Sequence, residues 1–337
     1  MKRTNKKITM QDIADQLNLS RNTISRALLD KDGISDEVKQ KVIKTANSLG
    51  YEKKVVNLKK KQKRICVITC RDFFLDQTYF AEIFLGIEEI SKIHDIFVNF
   101  LVLDDDSNKI NHQENVLGFI IAGKVKSNIV KMLSSLTVPK VYIDFEPDGS
   151  CDDVVIMDNE KGLNLIFKEL IKKGHKEIGF IGNRFMYTSF QKRYQYFLSE
   201  LRENNLKKVD EYILTDSEQP YWQFGVIKNE LKKMTKFPTA FICINDRTAF
   251  ALMQEIDALG LRIPEDISVI GFDNVKDKEI FSPSLTTVNV YKGELGRVAC
   301  SLLLQKIKNK NSISKKILVD VSLIEKNSVK MLGVIDE

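Results

Sequence analysis

The stretch Thr9-Met-Gln-Asp-Ile-Ala-Asp-Gln-Leu-Asn-Leu-Ser20-Arg-Asn-Thr-Ile-Ser-Arg-Ala-Leu-Leu29 reads as two short helices around a tight turn. Thr9 followed by Asp12 is a capping-box start, and Ile13, Ala14 and Leu17 make one apolar stripe at helical spacing. Asn18 suits the left-handed backbone that such a turn needs, Leu19 plugs the space between the helices, and Ser20 caps the second helix. The second helix turns Ile24 and Leu28 inward. Its other face carries Asn22, Ser25, Arg26 and Leu29, with Arg21 in the exposed first turn. Arginine and asparagine make paired hydrogen bonds to guanine and adenine edges, so this face suits a groove of duplex DNA.

Charge points the same way. Residues 1–64 hold 17 Lys or Arg against 7 Asp or Glu, whereas the remainder holds 35 against 39, so the formal +6 conceals a basic head on a mildly acidic body. A cationic head gains by releasing counterions from a phosphate backbone. A third helix is expected after the pair, capped by Ser35, with Asp36 and Glu37 in its first turn and Val38, Val42, Ile43, Ala46 and Leu49 inward. Gly50 ends it. Residues 53–64 form a basic linker without a core-forming pattern, giving a head at 1–52 and a body at 65–337.

From Ile65 onward, strand-like runs (65–69, 96–103, 118–122, 140–144, 154–157, 178–181, 240–244, 268–271) alternate with helix-like ones (79–92, 128–136, 161–173, 189–204, 222–234, 248–259). Such alternation implies parallel sheets covered by helices on both faces. The strands are too many for one small sheet, and the first group ends near Asp158. Two doubly wound α/β lobes in series are therefore expected, with a ligand cleft at the carboxyl ends of their strands. Lobe 1 is assigned about 65–158 plus 288–316, and lobe 2 about 159–287 plus 317–337.

No secretory leader or membrane span is read, so a cytoplasmic protein is expected. Cys66, Cys70, Cys151, Cys243 and Cys300 are odd in number, lack metal spacing and mostly lie in apolar runs, which reads as buried free thiols. His94, His112 and His175 are scattered, so no metal site and no cofactor are expected.

The chain resembles the lactose-repressor and galactose-repressor (LacI/GalR) family of bacterial transcription factors over nearly its whole length. In the head the resemblance lies in Ile8-Thr-Met-Gln-Asp-Ile-Ala14, Ser20-Arg-Asn-Thr-Ile-Ser-Arg26, Ile34-Ser35 and Leu49-Gly-Tyr51. In the body it lies in Val138-Pro-Lys-Val-Tyr-Ile-Asp144, Asp158-Asn159, Lys173-Gly-His-Lys-Glu-Ile-Gly-Phe-Ile-Gly182, Ile244-Asn-Asp246, Ile263-Pro-Glu-Asp-Ile-Ser-Val-Ile-Gly-Phe-Asp273 and Pro283-Ser-Leu-Thr-Thr287. Several short matches in order are more specific than any one of them.

The resemblance implies an all-α helix-turn-helix head on a periplasmic-binding-protein-like body, acting as a homodimer on a near-palindromic operator in double-stranded DNA. It places Arg21, Asn22 and Arg26 at base-contacting positions. Thr9, Ser20, Thr23 and Ser25 join the DNA-facing set, the three in the second helix as phosphate contacts. Leu29 stands where an asparagine is common, placed either to touch a thymine methyl or to cover the third helix. Leu58 stands near the minor-groove leucine of the family's hinge helix, although the linker looks a few residues short. Lys53, Lys54 and Lys59 serve the phosphate backbone.

For the body the resemblance implies a small-molecule effector, a sugar or related polyol, held between the lobes by Arg193, Asn245, Asp246 and Asp273. Asp72 and Phe73 end the first strand and face them. Asp246 and Asp273 also stand where helix caps belong, Phe73 is open to stacking or packing, and Trp222 either lines the cleft or anchors its helix. Residues 104–117 are too short and polar for the helix expected there, and Tyr196 replaces a common glycine near Arg193. Two other readings stay open. One is a sugar- or nucleotide-utilising enzyme with an accessory head, against which no phosphate loop, Gly-x-Gly-x-x-Gly turn or Ser-His-Asp grouping is found. The other is a regulator without an effector that answers to a protein partner.

Overall fold

The structure, a computed structural model, describes residues 8–29, 33–51, 62–71, 77–103, 116–217, 219–221, 223, 225–275, 282–309 and 311–333. It divides into two compact units, Met1–Lys61 and Gln62–Glu337.

The head is built from α1 (Met10–Leu17), α2 (Arg21–Leu28) and α3 (Asp36–Ser48). At the start of α1, Asp12 returns a carboxylate to the Thr9 N–H at 2.6 Å while the Thr9 hydroxyl accepts from the Asp12 N–H. Asn18 closes the helix at φ 54, which brings the Leu19 N–H onto the Ala14 carbonyl at 3.0 Å. Ser20 and Ser35 cap the other two helices. Ile13, Ala14, Ile24, Ala27, Leu28, Val42 and Ala46 form the core. Ile43 departs from the expectation: it is 47 % exposed. Val42 and Ala46, four apart, already occupy the inward line of α3, and Ile43 lies about 100° around the helix from Val42.

The body contains two six-stranded sheets. The first runs β11-β5-β4-β3-β1-β2, where β1 is Arg64–Cys70, β2 Phe97–Leu103, β3 Val116–Ala122, β4 Lys140–Ile143, β5 Asp153–Met157 and β11 Lys316–Val319. The second runs β12-β10-β9-β8-β6-β7, with β6 Ile178–Ile181, β7 Ile213–Leu214, β8 Ala240–Cys243, β9 Ser268–Asp273, β10 Thr286–Val290 and β12 Val321–Ile324. Every described pairing is parallel except β10 with β12. The central strands are buried on both faces, which is why they read as continuous apolar runs. Helices α4 (Gln77–Ile93), α5 (Ser127–Ser135) and α10 (Lys292–Lys308) accompany the first sheet. Helices α6 (Asn159–Lys172), α7 (Thr188–Glu203), α8 (Val226–Leu231) and α9 (Asp246–Ala258) accompany the second.

The chain crosses between lobes three times, at Asp158, Tyr291 and Asp320. The expected lobe limits therefore shift: β10 stays in the second sheet through Val290, and β11 stays in the first through Val319. Short flanking strands carry too little pattern to reveal their sheet. The helix expected from Trp222 begins only after Gly225, which sits at φ 79. Cys66, Cys243 and Cys300 are buried thiols, but Cys151 is exposed because it lies in the loop before β5. Among the described residues there is no metal-holding group of His, Cys, Asp and Glu, and no helix is long and apolar enough to cross a membrane. The linker residues Lys53, Lys54, Leu58 and Lys59, the residues Asp72 and Phe73 expected on the ligand, Trp222, and most of 104–117 lie outside the described residues.

Close approach of α4 and α10 anchors the second segment of lobe 1. A Cβ on Gly86 would fall on the Gly293 carbonyl, and one on Gly296 on the Ile83 carbonyl. These are backbone atoms that cannot step aside. Gly296→Val is expected to destabilise the body by about 2 kcal/mol or more, visible as a lower thermal midpoint, with the head's helical signal unchanged.

Candidate functional site

The α2 face turned away from the head's core is polar and open. Arg21, Asn22, Arg26 and Leu29 are exposed and Thr23 and Ser25 half-buried, while Ile24, Ala27 and Leu28 fill the inner side. Burial of one stripe thus leaves the expected base-facing residues together at helical spacing. The Ser20 hydroxyl accepts from the Thr23 N–H at 3.0 Å and lies 2.8 Å from the Thr23 hydroxyl. Thr9, likewise, is occupied with Asp12. Both hydroxyls therefore do capping work at helix starts, where the dipole also favours an anion such as phosphate. Arg26 runs beside Gly33, where a Cβ would come within 3.0 Å of the guanidinium.

In the body, the carboxyl ends of β4 and β9 meet the side of α7. Arg193, on α7, is 2 % exposed. Its Nε donates to Asn159 Oδ1 at 2.9 Å, Nη1 to the Ile244 carbonyl at 2.6 Å and Nη2 to Asp273 Oδ1 at 3.1 Å. The Phe272 ring lies under the guanidinium, 3.6 Å from centroid to carbon. Three of its five N–H groups thus have protein acceptors among the described residues. A buried guanidinium requires that pairing, and it holds Asp273 in place.

Asn245 and Asp246, expected on the ligand, are tied into the protein. Asn245 Oδ1 accepts from the N–H and hydroxyl of Thr248 at 3.0 and 2.8 Å, as the cap of α9. Asp246 accepts from the Thr287 hydroxyl at 2.5 Å and the Val275 N–H at 2.9 Å, so both of its oxygens are engaged. Burial, with Asp273 nearby, pushes its carboxyl up to about 7. Asp273 differs: it belongs to a backbone turn at φ 106 and faces Arg193.

The structure adds Asp144, which the sequence reading passed over. It follows β4 at φ 54, is 7 % exposed, and leaves Oδ1 without a hydrogen-bond partner among the described residues. Tyr79 from α4 donates to its Oδ2 at 3.5 Å. A cavity of about 10 Å³, room for one water, lies beside it against Asn159, Thr188, Ser189 and Lys192. Burial pushes the Asp144 carboxyl up to about 7, the neighbouring Arg193 charge opposing and Asp273 reinforcing the rise. The available signal was its place: an aspartate closing an apolar strand, as Asp273 closes Val-Ile-Gly-Phe. Around this centre the lobes touch through Lys192 with Glu146 at 2.9 Å and Lys124 with the Phe185 carbonyl at 3.1 Å.

Asp144 sets a pH dependence. With the folded carboxyl raised to about 7, the stability linked to its proton is present below the unfolded value and is lost as pH rises through about 7. Asp144→Asn is expected to raise the melting temperature at pH 8 by about 2–4 °C and to change it less at pH 5, in scans at the two pH values.

Comparison with known proteins places these features in a lineage. Residues 9–53 match the profile of bacterial regulatory proteins of the lacI family, and residues 167–329 match the periplasmic binding protein-like domain. The HTH-type transcriptional repressor PurR of Mannheimia succiniciproducens is 28 % identical over 333 residues, covering 96 % of this chain and 99 % of its own. A LacI family transcriptional regulator from Enterococcus faecalis with bound ribose is 26 % identical, with a TM-score of 0.69 over 80 % of this chain and all of that one. The lac repressor dimer bound to operator and the anti-inducer ONPF is 22 % identical and shares the fold, with a TM-score of 0.72 over 96 % of this chain and all of that one. The chain thus joins a lacI-family helix-turn-helix domain to a periplasmic-binding-protein-like body, the arrangement of the LacI-family repressors that it resembles over nearly its whole length.

Proposed function

We propose that this protein is a cytoplasmic homodimeric repressor, without enzymatic activity, whose hold on a near-palindromic operator is set by a small polyhydroxylated solute. The observation that carries the reading is the exposed face of α2. Arg21, Asn22 and Arg26 supply donors and acceptors for base edges, and Ser25 and Leu29 flank them. Thr9, Ser20 and Thr23 approach phosphates at helix starts. Lys53, Lys54 and Lys59 add backbone attraction from the linker, with Leu58 as a minor-groove wedge.

The effector site is the Asp144, Arg193 and Asp273 cluster, and Asp72 and Phe73 are proposed from the sequence as further contacts to the solute. Carboxylates accept from hydroxyls and the guanidinium donates its remaining N–H groups, which suits a sugar or related polyol. Ribose in the Enterococcus faecalis regulator supports that class. Asn245 and Asp246 shape the site by holding α9 and Val275. Repression follows the name of the Mannheimia succiniciproducens relative.

Two-fold half-sites call for a two-fold protein. Edge strand β2 and helix α4 carry Phe84, Leu85, Phe97 and Phe100 along a groove, with Leu85 62 % and both Phe97 and Phe100 50 % exposed. An aromatic edge of this kind wants a cover. A second copy supplies it, as the lac repressor assembles as a dimer on its operator.

Three measurements test the reading. In a gel-shift titration against its own upstream region, the wild type should bind in preference to random duplex, and each of Arg21→Ala, Asn22→Ala and Arg26→Ala should cost about tenfold or more. A triple alanine variant that keeps full discrimination would refute the reading head. In sedimentation velocity, the wild type should run as a dimer and Leu85→Asp with Phe100→Asp as a monomer of weaker operator affinity; a wild-type monomer removes the dimer. A thermal-shift panel of sugars, sugar phosphates and nucleosides should yield a ligand whose stabilisation Asp273→Asn abolishes. A panel that moves nothing in the wild type removes the solute.

A further inference from the structure

Lys292 opens α10 immediately after the second crossing, yet its side chain does not reach water. It is 2 % exposed, among the largest fully buried side chains described, where lysine is seldom found. Its ammonium is spent on three carbonyls: Asp273 at 2.6 Å, Asn274 at 3.3 Å and Val290 at 3.5 Å. Three N–H donors meet three acceptors. Two of those acceptors belong to consecutive residues with positive φ: 51 at Asn274, in the left-handed region that asparagine tolerates, and 106 at Asp273, backbone that side-chain-bearing residues rarely adopt. Such conformations persist where their surroundings over-determine them. The third acceptor ends β10, at the crossing itself. From lobe 1, the Tyr79 ring lies 5.9 Å from the ammonium, and the Tyr79 hydroxyl reaches Asp144.

We propose that Lys292 is a positioning residue, a clamp that ties the strained turn at Asp273 and Asn274 to the inter-lobe crossing and so holds the Asp273 carboxylate in register with Arg193. The proposal rests on the reading of the Asp144, Arg193 and Asp273 cluster as the effector site. A change of hinge angle at Tyr291 moves the first turn of α10. Through Lys292 that movement reaches the turn that grips the solute, and solute binding feeds back on the hinge by the same three bonds. A methionine of similar length cannot donate, and an arginine donates from a different place.

Full-length Lys292→Met, followed by hydrogen exchange in the absence of any solute, tests the clamp. Amides at Asp273 and Val275 should exchange about tenfold faster or more, while those of Val269 to Gly271 within β9 stay as in the wild type. Unchanged exchange in Lys292→Met overturns the clamp. So does rescue by adding Asp246→Asn, because the lysine would then only balance a buried carboxylate. Should Lys292→Met fail to fold, Lys292→Arg is read at the same amides, and protection equal to wild type overturns the clamp. With D-ribose as the probe, Lys292→Met should weaken a measurable wild-type affinity by about tenfold or more, and combining it with Asp273→Asn should add nothing further. Exchange is read without solute, so a wild type that ignores every solute counts against the effector reading alone.

Discussion

A guanidinium without water must find acceptors, and the buried Arg193 finds them on three separate segments. Asn159 begins α6 just past the first crossing, Ile244 follows β8, and Asp273 ends β9. Leaving any of these bonds unmade would strand a charge in a low-dielectric interior, at a cost far above that of a surface pair. The ends of two strands and the start of a helix are thereby drawn to one point, and Phe272 packs beneath it. The cleft is organised from this point outward. Asp144 approaches from the other lobe with one oxygen unpartnered among the described residues.

The same division between structural and available groups recurs along the chain. Thr9, Ser20, Ser35, Asn245 and Asp158 all sit at helix starts and accept from the backbone N–H three residues on. Polar residues so committed resemble binding residues in sequence, since both lie between apolar runs. What separates them is whether any hydrogen-bonding capacity remains. Asp246 is filled by Thr287 and Val275, whereas Arg193 has described protein acceptors for only three of its five N–H groups. On α2 the inner stripe is used up by packing, and Arg21, Asn22, Arg26 and Leu29 stay exposed on the outer face.

Much of the architecture was legible because its signals are local. Capping residues, the left-handed Asn18 and apolar spacing placed the three head helices, and Val-Ile-Leu-Phe runs placed the central strands of both sheets. Strands β10, β11 and β12 were less legible. Thr286–Val290 alternates only partly, and the two four-residue strands at 316–324 lie a single residue apart in different sheets. Nothing in so short a stretch says which sheet will accept it. Ile43 was read inward because apolar character alone does not distinguish the buried line of α3 from its neighbour.

By itself the sequence determined the basic head, the two capped helices with Arg21, Asn22 and Arg26 on one face, and the alternating body, since each depends on residues within a turn or a strand of one another. Tertiary structure alone decided that Asp144 joins Arg193 and Asp273, that Asn245 and Asp246 turn to the protein, and that Lys292 is buried against Asp273 and Asn274. Apart from the local cap that Asn245 makes with Thr248, those outcomes depend on contacts between segments 18 to 80 residues apart in the chain. Burial then sets what each polar atom still has to offer, and no periodicity records that.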